Sequence, residues 1–353
     1  MTKRLLKQVV GIDVARKELV VSLGNMNDEA TTSIYAYKTF LNTEKGFMAL
    51  ILWVKKQTIE ESPLRYVMEA TGVYHEALAY FLSNKTYSVS IVMPNKITNF
   101  FKTLEIKTVT DKSMSEAIAL FGLEKKLNNW VPPQKIFREL RQITRERDQI
   151  IVERTMLKNH LHAEETEAYP SVKTIIRIKD RIKLVNTQLK ETMDEINGSI
   201  KNDVELNQAV ALMSTIPGIG VLTSAVIMAE TNGFELIRST SQLSSYAGFD
   251  VKEKESGTSV KGKPRISKRG NRHLRKAMHM PALAAIRHSE RYKAVFTRIV
   301  TRNGIKMKAT VAVQRKLLEM AYTIYKTKKP YQAEYLQNQQ QEKQELQEAS
   351  INN

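Results

Sequence analysis

Apolar positions change their period twice along this chain, and the changes divide it. Val9-Val10-Gly11-Ile12 is a short apolar run that ends in an acid, Asp13, and reads as a buried strand. Glu18 to Leu23 and Ser33 to Phe40 read as two more strands. From Lys45 to Lys56 the spacing turns helical through Phe47, Leu50, Ile51 and Val54. A strand follows from Leu64 to Met68 and ends at Glu69-Ala70-Thr71-Gly72. After it come a helix from Tyr74 to Ser83, then a strand from Ser88 to Met93 that Pro94 stops. Thr110-Asp111 opens a helix that runs to Gly122.

Strands that come first as a meander and then alternate with helices predict an α/β region over residues 8–130 with a ribonuclease-H-like sheet. Pro132-Pro133 marks its end. Beyond, the pattern is α. Residues 134–200 read as a helical hairpin: Ile143, Ile150 and Leu157 stand seven apart in a helix from Phe137 to Glu165. Tyr169-Pro170 breaks that helix. In the next one Ile175, Ile182, Leu189 and Ile196 repeat at seven, with Ile178 and Val185 between them, which is a coiled-coil seam that Asn197-Gly198 is expected to end. Residues 207–330 are mostly helical with one irregular, glycine-rich basic insert, and the Gln/Glu-rich tail 331–353 reads as disordered.

Charge changes this picture most. The 55 Lys+Arg exceed the 37 Asp+Glu by 18, and a pI near 9.7 favours a polyanionic partner. The cations cluster: Lys252 to Lys276 holds ten Lys or Arg against two Glu. Zero cysteines exclude disulfides, thiolate nucleophiles and zinc ribbons, and fit a reducing cytoplasm. Val210 to Ala229 is uncharged over about the length of a membrane span, but Pro217-Gly218-Ile219-Gly220 in its middle predicts two short helices around a turn, and no membrane.

Candidate chemistry lies in both halves. Asp13 stands where an apolar strand meets the surface and Glu69 ends another; pairing of those strands would bring both carboxylates to one sheet edge. Magnesium prefers oxygen ligands and bridges carboxylates to substrate phosphate. The bland alternative makes Asp13 a turn cap and Glu69 a helix cap. Asp111 is a third acid, or simply the cap or first-turn acid of its helix. Glu116, five residues on, is turned about 140° from it. In the other half, Ser256 precedes Gly257 inside the basic stretch, and a hydroxyl among phosphate-binding side chains points to phosphodiester chemistry. Lys261, Lys263, Arg265, Lys268, Arg269, Arg272 and Arg275 are the candidate phosphate contacts, against the alternative of a solvated basic face. Gly218 and Gly220 before a helix would let backbone N–H groups approach a phosphate, unless they only make a tight connection between core helices. His273 and His288 read as structural or solvated.

Five motifs carry a resemblance. Gly11-Ile12-Asp13-Val14 and Met68-Glu69-Ala70-Thr71-Gly72-Val73-Tyr74-His75, then Ile216-Pro217-Gly218-Ile219-Gly220, Leu243 through Gly248 and Ile266 through Asn271, resemble the DEDD transposases of bacterial insertion sequences, relatives of the Piv DNA invertase. The resemblance spans residues 8 to 330. It implies a RuvC-like N-terminal domain, a coiled-coil insert and a C-terminal transposase domain. It also implies a homodimer or homotetramer that recombines donor and target DNA in a bacterial cytoplasm, at the nucleoid, guided by a structured non-coding RNA (a bridge RNA). A C-terminal serine in that family attacks DNA to form a phosphoserine link, with carboxylates and Mg2+, or Mn2+, completing the site. Ser256 matches that serine, and Asp13 and Glu69 match the first two acids. The family's last two acids follow Asp-x-x-Asp and a small residue. Here Met114 stands three residues after Asp111, so counting back from Ala117 makes Glu116 the fourth acid, with Ser113 or Ser115 as alternatives.

The reading is thus a magnesium-dependent, serine-nucleophile transposase. Its rivals are a RuvC-like structure-selective nuclease that uses water and a non-catalytic nucleic-acid-binding protein.

Overall fold

The structure, a computed structural model, describes residues 4–70, 72–104, 106, 108–235, 237–252, 255–256, 260–261 and 265–332. Lys263 and the tail from 333 lie outside the described residues, as do the side chains of Ser256 and Lys261. The chain divides into two compact units, Met1–Pro132 and Pro133–Asn353.

The first unit is built on strands β1 (Leu5–Val14), β2 (Glu18–Asn27) and β3 (Thr32–Leu41), helix α1 (Glu44–Gln57), strand β4 (Leu64–Glu69), helix α2 (Glu76–Asn84), strand β5 (Val89–Val92), and helices α3 (Pro94–Phe101) and α4 (Asp111–Glu124). The strands form one sheet in the order β3-β2-β1-β4-β5. The first three pair antiparallel, and β1 pairs parallel with β4, which pairs parallel with β5. This is the ribonuclease-H-like arrangement expected of a meander followed by crossovers. Alternation along the central strands sorts the two faces. Val10, Ile12, Tyr66 and Met68 point into a cluster with Phe47 and Leu50 of α1 and Leu78 and Leu82 of α2. Val9 and Val67 point the other way, against Ile97 of α3 and Ile118 and Phe121 of α4. Helix α3 adds to the expected elements: Pro94, which stops β5, has a fixed φ that also suits the first turn of a helix, where it stands here.

Helix α4 lies unusually close to β1. A methyl group at Gly11 would come 2.4 Å from main-chain atoms of both Ser115 and Ala119, so the helix backbone rests directly on the strand. One turn on, Gly122 has the same role against Val9 and Val67, where an added carbon would meet their methyls at 2.7 and 2.8 Å. Ser115 is fully buried and its hydroxyl joins that of Ser22 on β2 at 2.7 Å, which pins the helix across a second strand.

The second unit begins with a hairpin of α5 (Lys135–Thr166) and α6 (Val172–Asn202). Ile150 and Leu157 of one helix pack against Val185 and Leu189 of the other, while Phe137, Leu140 and Ile143 meet Ile196 and Ile200. Lys179 pairs with Glu165 at 2.9 Å near the turn. These partners run in opposite order, so the helices are antiparallel. One expectation fails here: α6 does not end at Asn197-Gly198 but continues to Asn202. Ile200 is buried one turn beyond Ile196, and that burial outweighs the ~1 kcal/mol penalty of a helical glycine. Asp203 then caps the next helix by accepting from the Leu206 amide at 2.8 Å.

Helices α7 (Val204–Met213), α8 (Val221–Thr231), α9 (Thr240–Ala247), α10 (Arg272–Ala277), α11 (His279–His288), α12 (Glu290–Asn303) and α13 (Lys306–Thr327) build the rest around one apolar cluster, which the base of the hairpin shares. Helices α7 and α8 flank the Pro217-Gly218 turn as expected, and among the described residues no helix is long and apolar enough to cross a membrane. The basic insert between α9 and α10 is more regular than its composition suggests. Strands β6 (Val251–Lys252) and β9 (Arg265–Ile266) pair antiparallel, and farther along β7 (Glu255–Ser256) pairs antiparallel with β8 (Val260–Lys261). Ser256 thus sits on a two-ladder β arm.

Gly11→Ala should lower the stability of the whole protein by about 1–3 kcal/mol, because the clash is with backbone that has no rotamer to change. A urea titration followed by circular dichroism would read this; an unchanged midpoint would mean that α4 does not sit on β1 as described.

Candidate active site

Strand alternation and one helix turn bring three acids together. Asp13 follows Gly11 by two residues and so faces the same side of the sheet, toward α4. Glu69 ends β4 one residue past the Ile12–Met68 pair, on the same side as Val67. Asp111 precedes Ser115 by one turn on the helix face that rests on β1. Thr110, not Asp111, caps this helix: its hydroxyl accepts from the Ser113 amide at 3.1 Å while the Ser113 hydroxyl accepts from the Thr110 amide at 2.8 Å. Asp111 is thereby released from capping, in the first turn of α4.

The electrostatics follow from this placement. Asp13 is half-buried, and its carboxyl is pushed up to about 6, first by burial, then by the negative charges of Asp111 and Glu69. Glu69 itself is 9% exposed. Glu116 stands apart from this group. It pairs with Lys112 at 3.9 Å, and the Lys112 ammonium lies 5.2 Å from the ring centre of Tyr37 on β3, so this face of the helix is turned away from Asp13. Ser113 and Ser115 are also committed, the one to the capping box and the other to Ser22.

Among the described residues no group of three carboxylates or imidazoles is close enough to hold a metal by itself. The donor chemistry of the trio nevertheless fits a divalent cation. Burial and the neighbouring charges of Asp111 and Glu69 oppose ionisation of Asp13, which a dication would relieve, and magnesium commonly takes its other ligands from water and phosphate.

The second unit places the remaining candidates around the arm. Its two feet are clamped together. Gly248 closes α9 at φ +73°, and an added carbon at Gly270 would lie 2.5 Å from both the Gly248 amide nitrogen and the Tyr246 carbonyl oxygen. The Asn271 amide donates to the Tyr246 carbonyl at 2.8 Å, Lys268 to that of Gly248 at 3.2 Å, and Ser267 to that of Asp250 at 2.7 Å. Arg275 is spent here, donating to the Ala247 carbonyl at 2.7 Å. Arg265, Lys268, Arg269 and Arg272 are exposed and free of that duty. Of the two glycines, Gly220 is open, whereas Gly218, at φ +88°, is filled by α11: an added carbon would meet the Pro281 carbonyl at 2.3 Å. Only the former leaves room for a phosphate.

Sequence reasoning overlooked Glu230 and Arg145. Glu230 ends the long apolar run on α8 and is 3% exposed. Arg145 of α5 donates to both its carboxylate oxygens, at 2.7 and 2.9 Å, and Asn271 donates to one of them at 2.7 Å. Burial alone would raise this carboxyl, but those hydrogen bonds and the Arg145 charge hold it below the usual carboxylate range. A lone acid abutting about twenty uncharged residues was the available signal; Arg145 in its charged helix had none.

Because the folded-state pKa of Asp13 lies above the unfolded value, its ionised form opposes folding above about pH 6 and has no such effect below about pH 4. Asp13→Asn should therefore raise Tm by a few degrees at pH 7.5 without divalent ions and leave it unchanged at pH 3.5. Scanning fluorimetry tests this, and a lower Tm at pH 7.5 would refute the like-charge cluster.

The chain is similar to several known proteins. A DEDD-type transposase model of the IS110 group matches residues 10–170, and the model described as transposase IS116/IS110/IS902 family matches residues 210–297. The chain is 28% identical to the pilin gene-inverting protein of Moraxella bovis over 328 residues, which is 92% of this chain and 98% of that protein. The pilin gene-inverting protein of Moraxella lacunata is 27% identical over 326 residues, with the same coverage of both chains. An uncharacterized 43.6 kDa protein of insertion element IS110 from Streptomyces coelicolor is 24% identical over 173 residues, 47% of this chain and 42% of that one. Among solved structures, T. thermophilus RuvC in complex with a Holliday junction substrate is 9% identical, with a TM-score of 0.27, and covers 35% of this chain and 99% of its own. With one family's two models matched in order along most of its length, the chain belongs to the DEDD transposases of bacterial insertion sequences.

Proposed function

We propose that this transposase cuts and rejoins DNA through a phosphoserine intermediate, with Ser256 as nucleophile and with Asp13, Glu69 and Asp111 as carboxylates that would hold a magnesium ion jointly with the DNA phosphate. The observation that carries the reading is the three-acid cluster on the sheet edge, with Asp13 pushed up to about 6. In the attack, the Ser256 hydroxyl oxygen forms a bond to phosphorus, its proton passes to a base, and a deoxyribose oxygen leaves. Rejoining is the reverse, with another deoxyribose hydroxyl displacing serine, so the bond energy is kept and no nucleotide is hydrolysed. The bound metal would supply charge neutralisation of the phosphate and a low-pKa oxygen ligand. Asp13, with its raised pKa, suits a proton acceptor near neutral pH as well as a ligand. Glu116 is left outside this set, because its partner is Lys112.

The exposed Arg265, Lys268, Arg269 and Arg272 hold DNA phosphates near the serine. The net charge of +18 supports large polyanionic partners, and we read these as donor DNA, target DNA and a structured guide RNA, held by a homodimer or homotetramer. Manganese would substitute for magnesium at such an oxygen site.

The test mixes protein with DNA spanning the element's junction, RNA transcribed from its flanks, and magnesium, then quenches in denaturant. A covalent protein–DNA band is expected in the unaltered protein and should fall roughly 100-fold or more in Ser256→Ala and in Asp13→Ala. Glu116→Gln should keep at least half of it. Cut DNA without a covalent band, unaffected by Ser256→Ala, would replace the serine mechanism with attack by water.

A further inference from the structure

Four helices of the second unit meet at one residue, Glu230. Glu230 on α8 is held by Arg145 of α5 in a two-point ion pair and by the side-chain amide of Asn271 at the start of α10. The Tyr246 hydroxyl on α9 donates to the Glu230 main-chain carbonyl at 2.8 Å. Tyr246 and Asn271 are the two residues between which the β arm leaves the helical body and returns. A second tie reinforces the grip of α5 on α10, since Lys276 reaches Asp148 at 3.1 Å.

The energetics say what such a centre is for. A carboxylate with a side chain 1% exposed loses nearly all its hydration, and a buried ion pair of this kind gives little net stability over an apolar replacement. What it does give is direction: a bidentate guanidinium fixes the carboxylate plane, and that plane fixes the single Asn271 amide. Asn271 has two duties at once. Its Oδ1 caps α10, accepting from the His273 and Leu274 amides at 2.9 and 3.2 Å, while its Nδ2 reads Glu230. The angle at which the arm leaves α10 is therefore set by Glu230 and, through Arg145, by the α5–α6 hairpin.

We infer that Glu230, oriented by Arg145, is a positioning residue that aims the Ser256 arm by locking its two feet, Tyr246 and Asn271, to the helical hairpin. This rests on the serine reading above only for its consequence in catalysis; the lock itself is a property of the arm's base. It also makes the hairpin more than a spacer, because any force that shifts α5 is passed to the root of the arm.

The chain has no cysteine, so Val251→Cys, at an exposed position on β6, gives a single spin-label site at the arm's base. Two variants in that background break the lock differently. Glu230→Gln removes the charge. Asn271→Ser keeps a capping oxygen for α10 and deletes only the donor to Glu230, so it stays informative if Glu230→Gln fails to fold. In both, the label's spectrum should narrow to that of a more mobile site. The rate of covalent capture at saturating DNA should fall at least tenfold while DNA affinity changes less than twofold. An unchanged spectrum with unchanged capture overturns the inference and leaves Glu230 as packing. A loosened arm with unchanged capture overturns the aiming role and leaves only a structural tie, whereas the absence of any covalent band in the unaltered protein is the failure of the serine reading instead.

Discussion

The contact on which the first unit depends is that between the backbone of α4 and the backbone of β1 at Gly11. With no side chain between them, a helix and a strand approach more closely than helix-on-sheet packing normally allows. Everything chemically interesting in the unit follows from that approach. It lets Ser115 reach Ser22 and carries the first turn of α4 over the end of the sheet, where Asp111 faces Asp13. Burial first, and then the like charges of Asp111 and Glu69, raise the pKa of Asp13. The fold is held against that repulsion by the apolar faces of the sheet, each covered by its own pair of helices.

The second unit uses the same device for a different end. Gly248 and Gly270 leave out side chains so that two chain segments can cross at van der Waals distance, and the β arm rises from that crossing. Here the nearby acid is paired. Glu230 has Arg145 and Asn271, and its pKa is lowered; Asp13 has Asp111 and Glu69, and its pKa is raised. The contrast separates the two roles. The two carboxylates thus stand in opposite electrostatic surroundings, one satisfied by its partners and one opposed by them.

Several details of the site follow from competition between local and long-range effects. Thr110 takes the cap of α4, so Asp111 keeps its oxygens for the sheet edge. Glu116 pairs with Lys112, because the turn of about 140° that separates it from Asp111 aims it toward Lys112 and the β3 side. Gly218 belongs to helix packing, and Gly220, two residues on, is open. Adjacent residues of one motif thus divide between architecture and access.

The sequence by itself carries local signals for the strands, read from short apolar runs such as Val9-Val10-Gly11-Ile12, for the long helices, whose apolar residues stand seven apart, and for the breaks at Pro132-Pro133 and Tyr169-Pro170. It also singled out Asp13 and Glu69, since an acid at the end of an apolar strand needs a reason. These are signals carried by near neighbours, and near neighbours are what a sequence displays. Tertiary structure decided the rest. That Asp111 joins the pair and Glu116 does not depends on which face of α4 Gly11 admits. That α6 runs through Gly198 depends on the burial of Ile200 against Phe137 and Leu140, some sixty residues earlier. The pairing of Glu230 with Arg145 spans 85 residues, and nothing local to either one announces it. Burial and charge pairing are properties of the folded surface, and they exist only once distant segments have been brought together.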